Sequence, residues 1–353
     1  MILSASGSRA TIEGSLCAEV EASLAQGAPT PALLRLAPAH ESLQELAGWL
    51  ATPSVPLTAL DIVRLDGFDT LFLELLGRCN ERCLHCYADA APTVTDALDR
   101  ATALSVIEQA RALGFRRIQL TGGDPLLSEY LPEAVRHARE VGIEHVEIYT
   151  NGLALTDELL AELAPARPAF AFSIYSADPE AHDRITRTPG SHRRTLAAID
   201  RVVARELPVR CAVIVVDHAT DVDALTELLT VRGVPEISVS RTFAVGRGTE
   251  HAVASQELVV AAHTISGGGH RATNAQSDGK LCVTYTGDVV PCIFQRASVL
   301  GNVRDGSLLE LLTAPLPRPA SRGLPLAEEV GRRLQCTTCR VTDVGLALLR
   351  GAR

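Results

Sequence analysis

The sequence predicts an α/β fold in which a parallel sheet is built from about six strand–helix units. Short apolar runs rich in β-branched and aromatic residues alternate with amphipathic stretches at helical spacing. Gly114 and Gly142 follow two of these stretches and act as helix stop signals. Strands that alternate with helices are typical of parallel sheets. Six units would form either an open sheet or part of an eight-stranded barrel, with ligands at the carboxyl ends of the strands.

The individual elements follow from the same pattern. Six buried strands are predicted at Leu71–Leu76, Arg117–Thr121, His145–Thr150, Ala169–Tyr175, Val209–Val216 and Glu236–Thr242. Helices are predicted after the first strands and at 155–163, 191–205 and 221–231. Residues 67–265 therefore make up the main domain.

Two smaller regions flank this domain. Residues 1–66 are rich in small polar residues and proline, which predicts an irregular N-terminal extension. In residues 266–353, Ser266–Gly279 is predicted as a linker, Leu281–Val290 as a hairpin and Leu308–Leu312 as a short helix. This C-terminal module has little apolar content and four cysteines, so we expect a metal staple to hold it together.

Composition excludes several functional classes. The 33 basic and 42 acidic residues give a formal charge of −9, which disfavours a nucleic-acid partner. No apolar run approaches the roughly 18 residues of a membrane span, and no secretory signal is visible at the start. We therefore expect a cytoplasmic protein without a membrane partner. In a reducing cytosol, the nine cysteines indicate metal or redox sites rather than disulfides.

The first cysteine group is a C-x3-C-x2-C loop directly after the first strand. Cys79, Cys83 and Cys86 place three thiolates on one short loop, and His85 is the only other ligand nearby. A structural zinc loop is the alternative, although zinc sites normally offer four ligands with paired C-x2-C spacing. Three thiolates suit a four-iron cluster that keeps one iron open for a substrate or cofactor.

At these residues the sequence resembles the radical SAM superfamily, whose signature is this loop after strand one. The resemblance implies a partial (βα)6 TIM-like barrel. It also implies a [4Fe-4S] cluster on Cys79, Cys83 and Cys86 whose fourth iron chelates S-adenosylmethionine. His85 stands where the family usually has an aromatic residue.

The ends of the next strands resemble the S-adenosylmethionine site of the same family. Gly122, Gly123 and Asp124 match the Gly-Gly-Glu motif that holds the methionyl amino group, with Asp in place of Glu. Asn151 and Ser173 match positions that line the site. Taken alone, these segments are equally consistent with ordinary strand-to-helix turns and buried hydroxyls.

Two further segments carry the resemblance along the chain. Tyr175 stands where many relatives have Asp. Gly246-Arg247-Gly248 is similar to the loop after strand six, although its arginine is also consistent with a surface cation. The resemblance covers residues 70 to 250.

A second cysteine group is spread over the C-terminal module. Cys282, Cys292, Cys336 and Cys339 provide four thiolates, which suit either zinc or iron by ligand count. Gly287 through Cys292 and the Leu300-Gly301-Asn302-Val303 segment resemble the SPASM or twitch module of radical SAM enzymes. The resemblance implies an auxiliary [4Fe-4S] cluster on these four cysteines.

Two cysteines remain outside both groups. Cys17 and Cys211 are predicted to be structural. Since Cys211 lies within a strand, a hydrogen-atom donor that faces the barrel interior is the alternative.

The resemblance implies reductive cleavage of S-adenosylmethionine to a 5′-deoxyadenosyl radical, which abstracts a hydrogen atom. A fully ligated auxiliary cluster favours oxidative modification, such as crosslinking of a ribosomally made precursor peptide. Oxidation of a small molecule, such as an aminocyclitol, sugar or cofactor precursor, is the second hypothesis. The third is a zinc-stapled binding protein. Flavodoxin or ferredoxin is the expected reductant, and the sequence identifies no catalytic residue.

Overall fold

The computed structural model describes residues 2–5, 8–11, 70–216, 220–250, 280–290, 292–294, 296 and 299–313. The chain divides into two compact units. One comprises Asp69–Thr273 and Cys282–Ser307, and the other comprises Met1–Phe68, Asn274–Leu281 and Leu308–Arg353. Every site contact below lies within the unit that starts at Asp69. Cys17, Cys336, Cys339, the linker Ser266–Gly279 and most of the extension 1–66 lie outside the described residues.

Six parallel strands form the main sheet, and their bounds follow the predicted runs to within a residue or two. They are β3 (Thr70–Leu76), β4 (Arg117–Gly122), β5 (His145–Thr150), β6 (Ala169–Ile174), β7 (Val209–Val215) and β8 (Glu236–Arg241), in that spatial order. In the other unit, β1 (Ile2–Ala5) and β2 (Ser8–Thr11) form an antiparallel pair. The predicted α/β class with a parallel, partial-barrel sheet is confirmed.

Helices connect the strands, and several start at a side chain that accepts a backbone hydrogen bond. They are α1 (Arg100–Ala112), α2 (Leu131–Glu140), α3 (Asp157–Leu163), α4 (Pro179–Thr186), α5 (Ser191–Ala204) and α6 (Val222–Val231), with α7 (Leu308–Thr313) in the other unit. Asp99, Thr156, Asp178 and Asp221 cap α1, α3, α4 and α6. None of the helices among the described residues combines the length and apolar character needed to cross a bilayer.

The predicted C-terminal hairpin is also present. Strand β9 (Lys280–Val283) pairs antiparallel with β10 (Asp288–Val290), which pairs with β11 (Gly301–Asn302). Gly287 has a φ of +90° in the turn, and a Cβ there would lie 2.5 Å from Asn302 Oδ1, so the turn requires glycine. Because β9 neighbours β3, these strands extend the parallel sheet at that edge.

The two faces of the parallel sheet carry different residues. Phe172 and Cys211 are partners across β6 and β7 and therefore share a face. A Cβ on Gly152 would touch both Phe172 and Ala198 of α5, which places this face against the helices. Cys211 is fully buried there, and burial raises the pKa of its thiol to about 12. This position agrees with a structural Cys211 and not with a donor inside the barrel.

Candidate metal and cofactor site

The cysteine loop begins three residues after β3 and is tied to the carboxyl ends of the neighbouring elements. The Cys79 N–H donates to Ala91 O at 3.2 Å and closes the loop on itself. The Leu84 N–H donates to Ile185 O at 3.0 Å, which connects the loop to the end of α4. The structure therefore places the three cysteines at the carboxyl edge of the sheet, where the sequence predicts them.

Cys79 is buried, Cys83 and Cys86 are partly buried, and polar groups face the sulfur atoms of Cys79 and Cys83. Cys79 Sγ accepts hydrogen bonds from the Glu81 N–H at 3.4 Å and from Asn151 Nδ2 at 3.7 Å. Cys83 Sγ donates to Glu81 Oε2 at 3.4 Å. Burial raises the pKa of all three thiols, so their thiolate form requires a compensating cation.

The donor set of this loop fits an iron–sulfur cluster. In the described part of the chain, no three His, Cys, Asp or Glu side chains converge as the ligands of a single metal ion do. A four-iron cluster places each thiolate on a different iron, and N–H groups that face the sulfurs stabilise their negative charge. Cys79, Cys83 and Cys86 are soft ligands, and Cys79 already receives two such N–H groups.

Gly122 and Gly123 allow the end of β4 to approach the cysteine loop closely. Gly122 has a φ of +125°, and a Cβ there would lie 2.4 Å from Leu76 O. A Cβ on Gly123 would lie 2.0 Å from Arg78 O, so backbone atoms fill the space that any side chain would need. The Gly123 N–H instead donates to Leu76 O at 2.6 Å. The two glycines therefore fit β4 against the start of the loop.

Asp124 is fully buried and its carboxylate receives three hydrogen bonds. Oδ1 accepts from the Leu126 N–H at 2.9 Å, and Oδ2 accepts from Thr150 Oγ1 at 2.8 Å and from the Asn151 N–H at 3.1 Å. Burial raises the pKa of Asp124 to about 6 despite these donors. In this arrangement Asp124 joins the end of β4 to the end of β5.

Asn151 connects that carboxylate to the cysteine loop. Its Nδ2 donates to Asn80 Oδ1 at 2.6 Å as well as to Cys79 Sγ, and its Oδ1 accepts from the Leu153 N–H at 2.9 Å. Of the residues predicted to line the cofactor site, Asn151 is therefore in direct contact with a predicted cluster ligand.

The end of β6 supplies Ser173 and Tyr175, both of them buried. Tyr175 packs against Ile185 and Val216, with Cys83 beside them. Its ring also meets that of His85 edge-on, with centroids 4.6 Å apart. Burial raises the pKa of Tyr175, and the Ser173 side chain partly offsets this shift. Tyr175 and His85 therefore form an aromatic contact at the cysteine loop.

A buried chain of polar groups runs from Cys83 away from the loop. Ser191 Oγ donates to Glu81 Oε1, and His182 Nε2 lies 3.2 Å from Ser191 Oγ. His182 Nδ1 accepts from the Tyr175 N–H, so Nε2 carries the ring proton of the neutral form. Burial lowers the pKa of His182 to about 3 and raises that of Glu81 to about 7.

Arg247 clamps the cysteine loop from the segment after β8. Its Nε donates to Cys83 O at 2.9 Å, its Nη2 to Ala90 O at 2.8 Å, and its backbone N–H to Cys86 O at 3.1 Å. Gly246 has a φ of +56°, and a Cβ there would lie 2.5 Å from Cys86 O. Arg247 is thus a structural clamp of the loop rather than a surface cation.

The second cysteine group is represented by Cys282 and Cys292, both buried. Burial raises the pKa of the Cys282 thiol, and Glu74 and Cys292 are close enough to raise it further. Cys282 packs with Phe72 and Val290 where β9 and β10 meet β3. The structure therefore brings two of the four predicted ligands into one neighbourhood.

Sequence reasoning missed the charged residues of the barrel strands. Glu74 and Glu147 are buried and bind Arg296 and Arg210 through paired hydrogen bonds. A carboxylate within an otherwise apolar strand run, such as Glu74 in Leu71–Leu76, is a visible signal in the sequence.

Comparisons with known proteins agree with this geometry. Residues 73–229 match a family model described as the Radical SAM superfamily, and residues 276–340 match the SPASM model, described as an iron–sulfur cluster-binding domain. The first match covers the cysteine loop and the ends of β3 to β7, and it stops before β8 and Arg247. The second covers all four cysteines of the C-terminal group.

Curated relatives and a solved structure are similar to parts of the chain. A GTP 3′,8-cyclase of Chlorobaculum tepidum is 34% identical over 42% of this chain and 46% of the relative. A PqqA peptide cyclase of Xanthomonas campestris pv. campestris is 31% identical over 52% of this chain and 50% of the relative. The chain thus spans about half the length of these relatives. Streptococcus suis SuiB bound to precursor peptide SuiA has the same fold, with a TM-score of 0.59 and 16% identity over 78% of this chain and 70% of SuiB.

Proposed function

This chain belongs to the radical SAM superfamily and carries a SPASM domain, and from that premise we propose that it modifies a ribosomally made precursor peptide oxidatively. When bound, the cluster and S-adenosylmethionine supply one-electron cleavage to a 5′-deoxyadenosyl radical, which abstracts a hydrogen atom from the substrate. The observation that carries the radical chemistry of this proposal is the partly buried three-cysteine loop at the carboxyl edge of the barrel, held by Arg247 and Asn151.

The residues of this chain have separate tasks in the proposal. Cys79, Cys83 and Cys86 hold the [4Fe-4S] cluster, and Asn151 supports Cys79 by its N–H···S contact. Arg247 fixes the loop carbonyls so that the three thiols keep their positions.

The cofactor-binding residues at the strand ends remain those that the sequence predicts. Gly122, Gly123, Asp124, Asn151 and Ser173 contact S-adenosylmethionine in this proposal. Asp124 already accepts three hydrogen bonds, with one on Oδ1, so Oδ1 retains a lone pair for a ligand ammonium.

The C-terminal module holds the auxiliary [4Fe-4S] cluster on Cys282, Cys292, Cys336 and Cys339. These four thiolates would leave no open iron for substrate, and the chemistry that the bound cluster would supply there is acceptance of an electron from the substrate radical. Electron acceptance gives the net oxidation that crosslinking requires. We assign the reaction to the cytoplasm, where flavodoxin or ferredoxin supplies the reducing electron.

A small-molecule substrate is the second candidate, and one relative favours it. The GTP 3′,8-cyclase is more similar to this chain than the peptide cyclase by percentage identity, although over a shorter stretch. The peptide cyclase is similar over a larger share of the chain, which favours the peptide.

The test starts from anaerobic protein that was produced with iron–sulfur assembly factors. We expect about eight iron atoms per chain, and about four after replacement of Cys79, Cys83 and Cys86 by Ala. With a reductant, the parent protein should release 5′-deoxyadenosine and methionine, and the triple variant should release neither. A fully loaded parent that does not cleave S-adenosylmethionine refutes the radical chemistry.

The substrate class is tested by adding the peptide encoded beside this gene, or a panel of sugars, aminocyclitols and nucleotides. Stimulated 5′-deoxyadenosine release and loss of hydrogen from the peptide mass support the peptide. Stimulation by a small molecule and by no peptide selects the second candidate.

A further inference from the structure

Glu74 is a buried carboxylate in the middle of β3, and its partner comes from the C-terminal segment. The side chain is fully shielded from solvent, yet its neighbours along the strand are leucines. Arg296 Nη1 and Nη2 donate to its two oxygens at 2.6 and 2.9 Å, and the Tyr285 N–H donates at 3.3 Å. A buried carboxylate without such partners would be strongly unfavourable, so the pair must form whenever β3 is buried.

Arg296 also contacts the segment that follows the first cysteine loop. Its guanidinium carbon lies 5.9 Å from the ring centroids of both Tyr87 and Tyr285. Tyr87 directly follows Cys86, and Tyr285 OH donates to Ala88 O at 3.2 Å. Arg296 is therefore placed between the loop of the first centre and the hairpin that carries Cys282.

The segment between Cys292 and Arg296 is held at a second point. Phe294 stacks on Phe243, with ring centroids 4.0 Å apart, and meets the Tyr87 ring edge-on at 5.6 Å. Arg296 and Phe294 thus fix the chain just after Cys292, and Glu74 fixes Arg296.

We infer that Glu74 is a positioning residue for the second metal centre, acting through Arg296 on the Cys292 segment. Its carboxylate sets the position of Arg296 and balances the positive charge that Arg296 brings close to Cys282. This inference rests on the proposed auxiliary cluster. Without the Glu74 charge, Arg296 becomes an uncompensated, partly buried cation, which weakens the segment and favours the reduced, more negative form of the cluster.

The experiment isolates the second centre by using a parent in which Cys79, Cys83 and Cys86 are Ala. Glu74→Gln is introduced into this parent, because it keeps the shape of the side chain and removes the charge. Glu147→Gln is the matched control, since it breaks the other buried Glu–Arg pair, with Arg210, away from the second cysteine group. Circular dichroism checks folding, and the readouts are iron per chain, iron release to a chelator and the midpoint potential by electron paramagnetic resonance.

For Glu74→Gln we expect at least tenfold faster iron release than from the parent, together with a more positive midpoint potential. Glu147→Gln should match the parent in both. The inference is overturned if Glu74→Gln matches the parent, or if Glu147→Gln changes both readouts equally. A parent without iron refutes the auxiliary cluster itself, which separates that failure from failure of the positioning role.

Arg296→Lys provides a second variant in case Glu74→Gln does not fold. Lysine keeps the positive charge but cannot bind both carboxylate oxygens in the planar geometry of arginine. We expect faster iron release with little change in potential, and an unchanged release rate counts against the positioning role.

Discussion

Arg247 offers the sharpest test of how the first cysteine loop is organised, through the substitution Arg247→Met. The change removes two hydrogen bonds from a charged donor to loop carbonyls, at 2.9 Å to Cys83 O and 2.8 Å to Ala90 O. Such bonds contribute about 1.5–3 kcal/mol each. The ion pair with Asp89 adds little, because Asp89 is exposed. At the low end of this range the two bonds together contribute about 3 kcal/mol. The low end applies because water can replace part of the lost hydrogen bonding at the loop.

A loss of about 3 kcal/mol in the arrangement of the loop corresponds to about a 100-fold weaker hold on the cluster. The assay is anaerobic iron release from the loaded protein to a chelator, with the second centre removed by Cys282→Ala and Cys292→Ala. We expect release to accelerate by at least tenfold in Arg247→Met.

Arg139→Met is the matched control for this substitution. Arg139 also donates to two backbone carbonyls, at 2.6 Å to Glu144 O and 2.9 Å to Arg167 O. These carbonyls lie in other loops, at the amino ends of β5 and β6 and away from the cysteine loop. We expect Arg139→Met to lower the unfolding temperature and leave iron release unchanged. The reasoning is refuted if Arg247→Met releases iron at the parental rate, or if both variants release it equally fast.

Three further predictions concern other parts of the barrel. Burial would raise the pKa of Glu147, but the Arg210 guanidinium outweighs it and lowers that pKa to about 2. The free energy of unfolding, measured with urea, should therefore be about 3 kcal/mol higher for the wild type than for Glu147→Gln above pH 4.5. This difference should shrink as the pH falls towards 2. A difference that does not depend on pH contradicts the prediction. Gly246→Ala places a Cβ 2.5 Å from the Cys86 carbonyl oxygen and should reduce iron loading. Gly190 also has a positive φ but has open space around it, so Gly190→Ala should only lower stability. Equal iron contents in the two variants would argue against the close approach at Gly246. Cys211→Ala should keep full iron and the same ratio of product to 5′-deoxyadenosine, and a fall in that ratio would restore the donor hypothesis.

The strands, the hairpin and the cysteine loop could be predicted because their signals are local. Apolar runs with a glycine or proline near at least one end define β3 to β8, and Gly287 marks the hairpin turn. The partners of Asp124 could not be predicted in the same way. The sequence suggests that the Asp124 carboxylate is free to bind a ligand ammonium. In the structure this carboxylate accepts hydrogen bonds from the Thr150 hydroxyl and the Asn151 N–H, and from the Leu126 N–H of its own turn. These contacts depend on how β4 and β5 lie side by side, which is a property of the sheet rather than of either segment.

The same limit explains why the charges inside the barrel were missed. Glu147 on β5 receives hydrogen bonds from Gln119 on β4 and from Arg210 on β7, so the three members of this group come from three separate strands. Each residue looks like an exception to its own apolar run, and only the folded sheet shows that they compensate one another. The Arg247 clamp was visible as a Gly-Arg-Gly motif, but its direction towards the cysteine loop was not.

The distance along the chain between Glu74 and Arg296 has a consequence for biosynthesis. The two residues are 222 positions apart. At about 5 to 20 residues per second, the ribosome adds Arg296 about 11 to 44 seconds after Glu74. During that interval the nascent barrel has no partner for the carboxylate of its first strand, so burial of β3 is opposed until the C-terminal hairpin arrives. The strand that leads into the first cysteine loop therefore reaches its final packing late, and insertion of iron into the loop can precede closure of the sheet at that edge.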